Sequence, residues 1–278
     1  MFVRVDGVAH HVVVEGTGPV CVLSAGLGLG WFDWDPVVPL LAPHRTVVRF
    51  DRPGHGLSAA ADAPPTAAGE ARRIARLLDA LGRGEGPVTV VGHSIAGFHA
   101  EAFARLYPDR TGGVVLVDAS VEEQARTPAA PRARTAAAGA LAAVLSGVGV
   151  PATFGPSARR LAVRLSRAHG GDPAPADLVR GVYGTSRVLR GAMLENAHYL
   201  DVAAQLLALR QRHPLPADAS RTVLAATAGG RRWTTRQREL ALLLGARFEG
   251  VGEAGHLLML DRPEAVARAV LRVALRAP

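Results

Sequence analysis

The hydrophobic positions of this chain fall into short continuous runs. "VCVLSAG", "RTVVRFD", "PVTVVGH" and "GGVVLVD" are apolar almost throughout, and each leads into a loop rich in Gly, Pro or Asp. A strand covered on one face alternates apolar and polar residues, whereas one covered on both faces does not. These runs therefore predict parallel strands inside a helix-flanked sheet. Between them, "GEARRIARLLDALG" carries helical periodicity and stops at Gly82, and the stretch after Ser94 is helical to about Tyr107, where Pro108 closes it. Strand and helix alternating in this order is the α/β pattern. At the start, "FVRVDGVAHHVVVEG" places two β-rich runs either side of Asp6-Gly7, a hairpin signal.

From about Ser120 to Pro216 the pattern changes. Strands vanish, and Ala- and Arg-rich helical segments are broken by Pro and Gly at 147–156 and 170–175. Strand signals return at "RTVLAATAGG" and "ARFEGVGEAGH", and a last helix, "PEAVARAVLRVALR", opens on Pro263, where a missing N–H costs nothing. The predicted organisation is a mostly parallel twisted sheet flanked by helices, formed by residues 1–119 and 217–278, with a helical cap inserted at 120–216. Residues Ala136 to Phe154 carry no charge and are just long enough to span a bilayer. They are rich in Ala and Gly, contain Ser146 and Pro151, and lie mid-chain. A buried or cap helix is the reading, with interfacial membrane contact as the alternative and no stable anchor expected.

Composition narrows this picture. The 278 residues suffice for one large α/β domain with an insertion, and 49% are hydrophobic, so a sizeable core is available. All 32 basic side chains other than His are arginine. No single function excludes Lys everywhere, so this reflects coding bias. The net charge of +8 is scattered, with no basic run interleaved with aromatics, which argues against a nucleic-acid partner. An acidic substrate or partner remains compatible with it. Cys21 is the only cysteine and sits in an apolar run, so no intrachain disulfide forms and a buried thiol is expected. "MFVRVDGVAH" lacks a signal-peptide hydrophobic region, which points to the cytoplasm. No pair of the ten histidines has metal-ligand spacing, and neither metal nor cofactor is expected. The oligomeric state is not encoded in any of these patterns.

The candidate chemistry lies in "VVGHSIAGFHA", residues 90–100. A strand runs into a turn and directly into a helix. A residue strained at such a turn needs small neighbours two positions either side, and Gly92 and Ala96 supply them. Ser94 then projects its hydroxyl off the C-terminal edge of the sheet, and the following N–H groups point into the same space. Ser94 is either a nucleophile or a helix N-cap; its place between an apolar strand and a periodic helix favours the nucleophile.

The chain resembles the α/β-hydrolase family, in its capped single-domain form. The resemblance rests on "LSAGLGLGWFDW", "FDRPGHGLS", "VVGHSIAG", "LYPDRTGGVVLVDAS" and "GEAGHLLMLDRPEAV", in family order over nearly the whole length. It implies His256 as the base that takes the Ser94 proton, in a loop between the last strand and last helix. It implies an oxyanion hole from the backbone N–H groups of Ile95 and Leu27. Family members often read His-Gly where this chain reads Ala25-Gly26, which touches the packing of that loop more than its N–H. His55 matches a structural loop residue, and His93 is expected to pack or to form a supporting hydrogen bond.

The acid is harder to assign. Its commonest family position is the loop after the penultimate strand, but no Asp or Glu lies between Ser220 and Glu239. Asp118, ending "GGVVLVD", is the substitute, since some family members carry the acid there. The alternatives are a structural Asp118 capping "DAS", Glu253, or a dyad without an acid.

A serine nucleophile implies acyl transfer and argues against the dehalogenase and epoxide-hydrolase chemistry that uses Asp at that position. The expected activity is hydrolysis of a carboxylic ester, lactone or thioester of a small, apolar molecule. Trp31, Phe32, Trp34, Phe98 and Tyr183 are candidates to line the pocket, with core packing as their alternative. Two other classes stay open: a ligand-binding protein or weakened hydrolase, and non-hydrolytic chemistry of lyase, acyltransferase or cofactor-free peroxidase type.

Overall fold

The computed structural model describes residues 1–60 and 63–273. Among the described residues, eight strands form one sheet: β1 (Phe2–Val5), β2 (Val8–Glu15), β3 (Val20–Ser24), β4 (Thr46–Phe50), β5 (Val88–His93), β6 (Thr111–Val117), β7 (Ser220–Ala226) and β8 (Arg247–Val251). Their order across the sheet is β1-β2-β4-β3-β5-β6-β7-β8. β1 and β2 pair antiparallel across Asp6-Gly7, and β2 pairs antiparallel with β4. β3 to β8 pair parallel. Asp6 and Gly7 have φ of 49° and 81°, as a two-residue hairpin turn of the mirror-image type requires.

The helices are α1 (Val38–Leu41), α2 (Ala67–Ala80), α3 (Ala96–Leu106), α4 (Pro131–Gly147), α5 (Val150–Ser166), α6 (Ala176–Tyr183), α7 (Ser186–Ala197), α8 (Tyr199–Arg212), α9 (Arg231–Leu243), α10 (Leu258–Asp261) and α11 (Pro263–Leu271). Thr66 caps α2 by accepting from the Gly69 N–H at 2.9 Å. The part of the last predicted helix beyond residue 273 lies outside the described residues.

Consecutive strand residues enter opposite layers of core. Val22, Val48, Val90 and Val114 pack with α2 and α3, while Cys21, Val47, Val91 and Val115 pack with α1 and α11. Both faces are thus buried, which is why the strand sequences do not alternate. Cys21 is fully buried, and burial pushes its thiol pKa up to about 12.

Five helices, α4 to α8, intervene between β6 and β7. α4 packs on α7 and α5 on α6, whereas α8 lies against α2 and α3 and buries Val202, Ala203 and Leu206 in the core. The breaks in this segment differ in part from those expected. The chain turns at Val148-Gly149, where Gly149 has φ 77°, but α5 then runs through Pro151 and Pro156. Pro151 falls in the first turn, where no N–H partner exists. Pro156 forfeits one hydrogen bond, but its φ suits a helix. Among the described residues, no single helix is long and apolar enough to cross a membrane.

Candidate active site

The C-terminal ends of the parallel strands carry the site, as expected for an open α/β sheet. β5 ends at His93, and Ser94 turns with φ 54°, a left-handed conformation that strains a side-chain-bearing residue. The turn has no room for bulk, since a Cβ on Gly92 would overlap the Ala96 carbonyl. It is tied both to β6 and to the loop that follows it. The Ser94 N–H donates to Val117 O at 3.2 Å, and its carbonyl accepts from the Ser120 N–H at 3.0 Å.

Asp118 follows β6 directly and is also left-handed, with φ 42°. Its carboxylate is buried and fully engaged. Oδ1 accepts from the Ala226 N–H at 2.9 Å and the Trp233 Nε1–H at 2.8 Å, and Oδ2 lies 2.7 Å from His256 Nδ1. The structure thus brings Asp118 and His256 into direct contact, 138 positions apart in sequence. Glu253 instead projects outward and pairs with Arg262.

His256 follows β8, and its loop is braced twice. Asp261 accepts from the Gly255 N–H at 2.8 Å, and Ser166 of α5 accepts from the Leu257 N–H at 3.2 Å. A third brace is His93. Its Nε2 lies 2.9 Å from His256 O, and the two rings are 4.7 Å apart. A carbonyl can only accept, so Nε2 carries the proton. Burial first, and then the neighbouring His256, hold the His93 pKa well below the usual histidine range, so the ring is neutral.

Leu27 lies in the loop after β3, which abuts the turn at Ser94. A Cβ on Gly26 would come within 2.7 Å of His93 Nδ1 and 3.0 Å of Ser94 Cβ. Glycine is what permits this approach. Among the described residues, the N–H groups of Leu27 and Ile95 make no hydrogen bond.

The loop is held by a group that sequence reasoning missed. Arg52, in "FDRPGHG", donates to the carbonyls of Ala25 and Gly26. It also forms a two-pronged pair with Glu195 of α7, at 2.7 Å and 2.9 Å. His55 Nε2 faces the same carboxylate at 3.2 Å. Burial raises the Glu195 pKa, but Arg52 and then His55 more than reverse this and hold it well below the carboxylate range. Nothing in sequence links positions 52 and 195; the only signal was an Arg beside a Gly-rich turn.

Ser94, His93, His256 and Leu27 line one cavity of about 480 Å³. Its other walls come mainly from α5, through residues such as Val150, Phe154, Ala158 and Ala162. Arg159 is the one Asp, Glu or Arg among the lining residues. It is buried and neutralised by Asp33 and Asp172, and it lies over the rings of Phe32 and Tyr183. The cavity is therefore apolar except at its serine and histidine end.

Of the predicted lining aromatics, only Tyr183 reaches this cavity, with its hydroxyl donating to Gly28 O at 2.8 Å. Trp34 is a correction. It is fully buried on the α1 side of the sheet with Leu41 and Val38, because its short helical turn faces the core. Phe98 is another, since α3 points it at the opposite core layer and at Tyr199, 5.6 Å away. Trp31 packs edge-on against His11 at 4.4 Å and is not a wall of the cavity, and Phe32 is buried against Val182 and Val188. Among the described residues, no group of three or more His, Cys, Asp or Glu is placed to hold a metal.

Comparison with known proteins agrees with this architecture. A family model described as "Alpha/beta hydrolase family" matches residues 21–269. A lipase of Mycobacterium tuberculosis, LipV, is 41% identical over 31% of this chain and 29% of its own. The chain spans less than half the length of the curated relatives it matches. Among solved structures, a thermophilic esterase from Thermogutta terrifontis superposes with a TM-score of 0.70 at 23% identity, covering 97% of this chain and 94% of that one. An enol-lactonase from Burkholderia xenovorans superposes at 0.67 with 24% identity, covering 98% of each. At such identities these structures speak for the fold alone.

Proposed function

The chain belongs to the alpha/beta hydrolase family, and from that premise we propose that it hydrolyses a carboxylic ester, or a lactone or thioester, through an acyl-enzyme on Ser94. The observation that carries this reading is the buried Asp118 carboxylate 2.7 Å from Nδ1 of His256, whose ring lines the same cavity as Ser94. Asp118 keeps the His256 proton on Nδ1 and leaves Nε2 free to accept one. The Ser94 hydroxyl attacks the substrate carbonyl while Nε2 takes its proton. The oxygen that gains negative charge is received by the Leu27 and Ile95 N–H groups, both without a partner among the described residues. The imidazolium, stabilised by Asp118, returns the proton to the departing alcohol. Water, activated by the same histidine, then cleaves the acyl-serine.

The apolar cavity supports an apolar acyl group, and the insertion 120–216 acts as the cap that selects it. A weakened or non-catalytic relative is the alternative for a site without an acid. A carboxylate bonded to His256 from the end of β6 speaks against it.

The test is labelling with a serine-reactive fluorophosphonate. Wild type is expected to label and Ser94→Ala to lose the label. Absence of Ser94-dependent labelling, together with no turnover of short-chain chromogenic esters, would sink the proposal.

A further inference from the structure

The outer surface of the insertion does not fit a protein that meets only water. Among the described residues, six of the thirteen exposed large hydrophobics fall between 141 and 165: Leu141, Val144, Val148, Phe154, Leu161 and Leu165. On α4 they recur at helical spacing and lead to Val148, 72% exposed at the bend. On α5 they recur again and end at Leu165, 75% exposed. The charge pattern is equally one-sided. No Asp or Glu occurs between Glu123 and Asp172, while seven arginines do. Arg134, Arg159 and Arg167 are paired with acids elsewhere, and Arg132 and Arg164 are exposed with no acidic partner among the described residues. The stripe also adjoins the site: Phe154 is both exposed on α5 and a wall of the cavity that contains Ser94.

We propose that the α4–α5 corner docks this protein peripherally on an anionic lipid bilayer, with the cavity mouth facing the lipid. Together the two helices have the length and apolar composition of a membrane span, but they are bent by 105°. They cannot cross as one rod, so they lie in the interface plane. An apolar stripe with an exposed, unpaired arginine at the far end of each helix, Arg132 on α4 and Arg164 on α5, matches acyl chains beneath anionic headgroups. A second copy of the chain is a poorer occupant, because joining the two helices to their own copies opposes arginine to arginine with no Asp or Glu on either helix. Docking does not require the ester-hydrolase reading; only the nature of what enters the cavity, an ester drawn from the lipid phase, rests on it.

The experiment is co-sedimentation of the full chain with phosphatidylcholine vesicles, with and without about a third phosphatidylglycerol. The wild type is expected to bind the anionic vesicles at low salt, to release as salt rises, and to bind pure phosphatidylcholine weakly. Arg132→Gln/Arg164→Gln should bind roughly thirtyfold more weakly, about fivefold for each arginine. Val144→Glu should lose at least about tenfold while keeping the wild-type rate on a water-soluble ester. No binding to anionic vesicles overturns the proposal, and so does unchanged binding by both variants. Concentration-dependent dimers that Val144→Glu dissolves, without vesicle binding, overturn it in favour of a second copy. Vesicle binding without fluorophosphonate labelling of Ser94 upholds the docking and removes the hydrolase reading instead.

Discussion

Replacing Asp118 by Asn puts the proposed chemistry to its sharpest test, because the structure dictates which way the amide lies. Oδ1 receives two N–H donors, from Ala226 at 2.9 Å and Trp233 at 2.8 Å. In the variant the amide oxygen stays with them, since the opposite orientation sets an NH2 group against two donors. The NH2 then faces His256 Nδ1 across the 2.7 Å contact. Nδ1 is forced to accept, so the ring proton moves to Nε2, the nitrogen needed for the Ser94 proton. An imidazole held in the wrong tautomer costs about 10⁴ in kcat, known from serine proteases. That is about 5 kcal/mol of transition-state stabilisation. Folding should hardly change, since both donors keep their acceptor; Asp118→Ala, which orphans them, should lose about 1–3 kcal/mol per unsatisfied group. The assay is kcat and KM on a chromogenic butyrate ester, with thermal melts of both variants. An Asp118→Asn enzyme within tenfold of wild-type kcat, with an unchanged melting temperature, would refute the assignment.

Three further outcomes follow from other parts of the site. Ser94→Gly should be more stable than Ser94→Ala by about 1 kcal/mol in denaturant unfolding, because only glycine relaxes the left-handed turn at φ 54°; equal stabilities would mean the turn is not strained. His99 is buried with its pKa lowered to about 4, chiefly by burial, so the unfolded chain takes up its proton first. Its contribution is complete above the ordinary value of 6.5 and is lost as the pH falls toward 4, on the order of 3 kcal/mol. His99→Leu should flatten that part of the stability profile between pH 7 and pH 4, and an unchanged slope would locate the acid sensitivity elsewhere. Ala162→Phe, filling part of the apolar cavity, should shift kcat/KM toward shorter acyl chains in an ester series; an unaltered chain-length profile would place the acyl group in another space.

The parts of this molecule legible from sequence are those set by local physics. The continuous apolar runs marked β3 to β6 because a strand buried on both faces has no polar positions to show. The turn at Ser94 was legible because Gly92 is demanded by its crowding against the Ala96 backbone. What failed was direction. Trp34 and Phe98 sit near the site in sequence, but their elements turn them into the two core layers, and residue type carries no sign of that. Long-range pairing was equally silent. Arg52 meets Glu195 from 143 positions away, and neither flanking sequence anticipates the other.

The same contrast explains the acid. The loop after β7 lacks a carboxylate, which by itself suggests an incomplete site. Yet that loop is not idle in the structure: β7 ends at Ala226, whose N–H, with Trp233 of α9 beyond the loop, donates to Asp118 Oδ1. β6 and β7 are neighbours in the sheet, with Val117 in register with Leu224, and the Asp118 N–H donates to Leu224 O at 2.8 Å. A carboxylate at the end of either strand is therefore within one strand spacing of the other. With the proposed acid on β6, the end of β7 presents donors to it instead of a competing charge. Thr227, Ala228, Gly229 and Gly230 carry no charge, and the first two donors beside them are aimed at the acid. In the proposed site, the absence of a carboxylate after β7 and the strained, doubly hydrogen-bonded Asp118 after β6 belong together. Trp233→Phe offers a separate handle on it: with Oδ1 left to the Ala226 N–H alone, the carboxylate is held less firmly against His256, and kcat should fall by about tenfold at unchanged KM. An unchanged kcat with a lowered melting temperature would instead assign Trp233 a packing role.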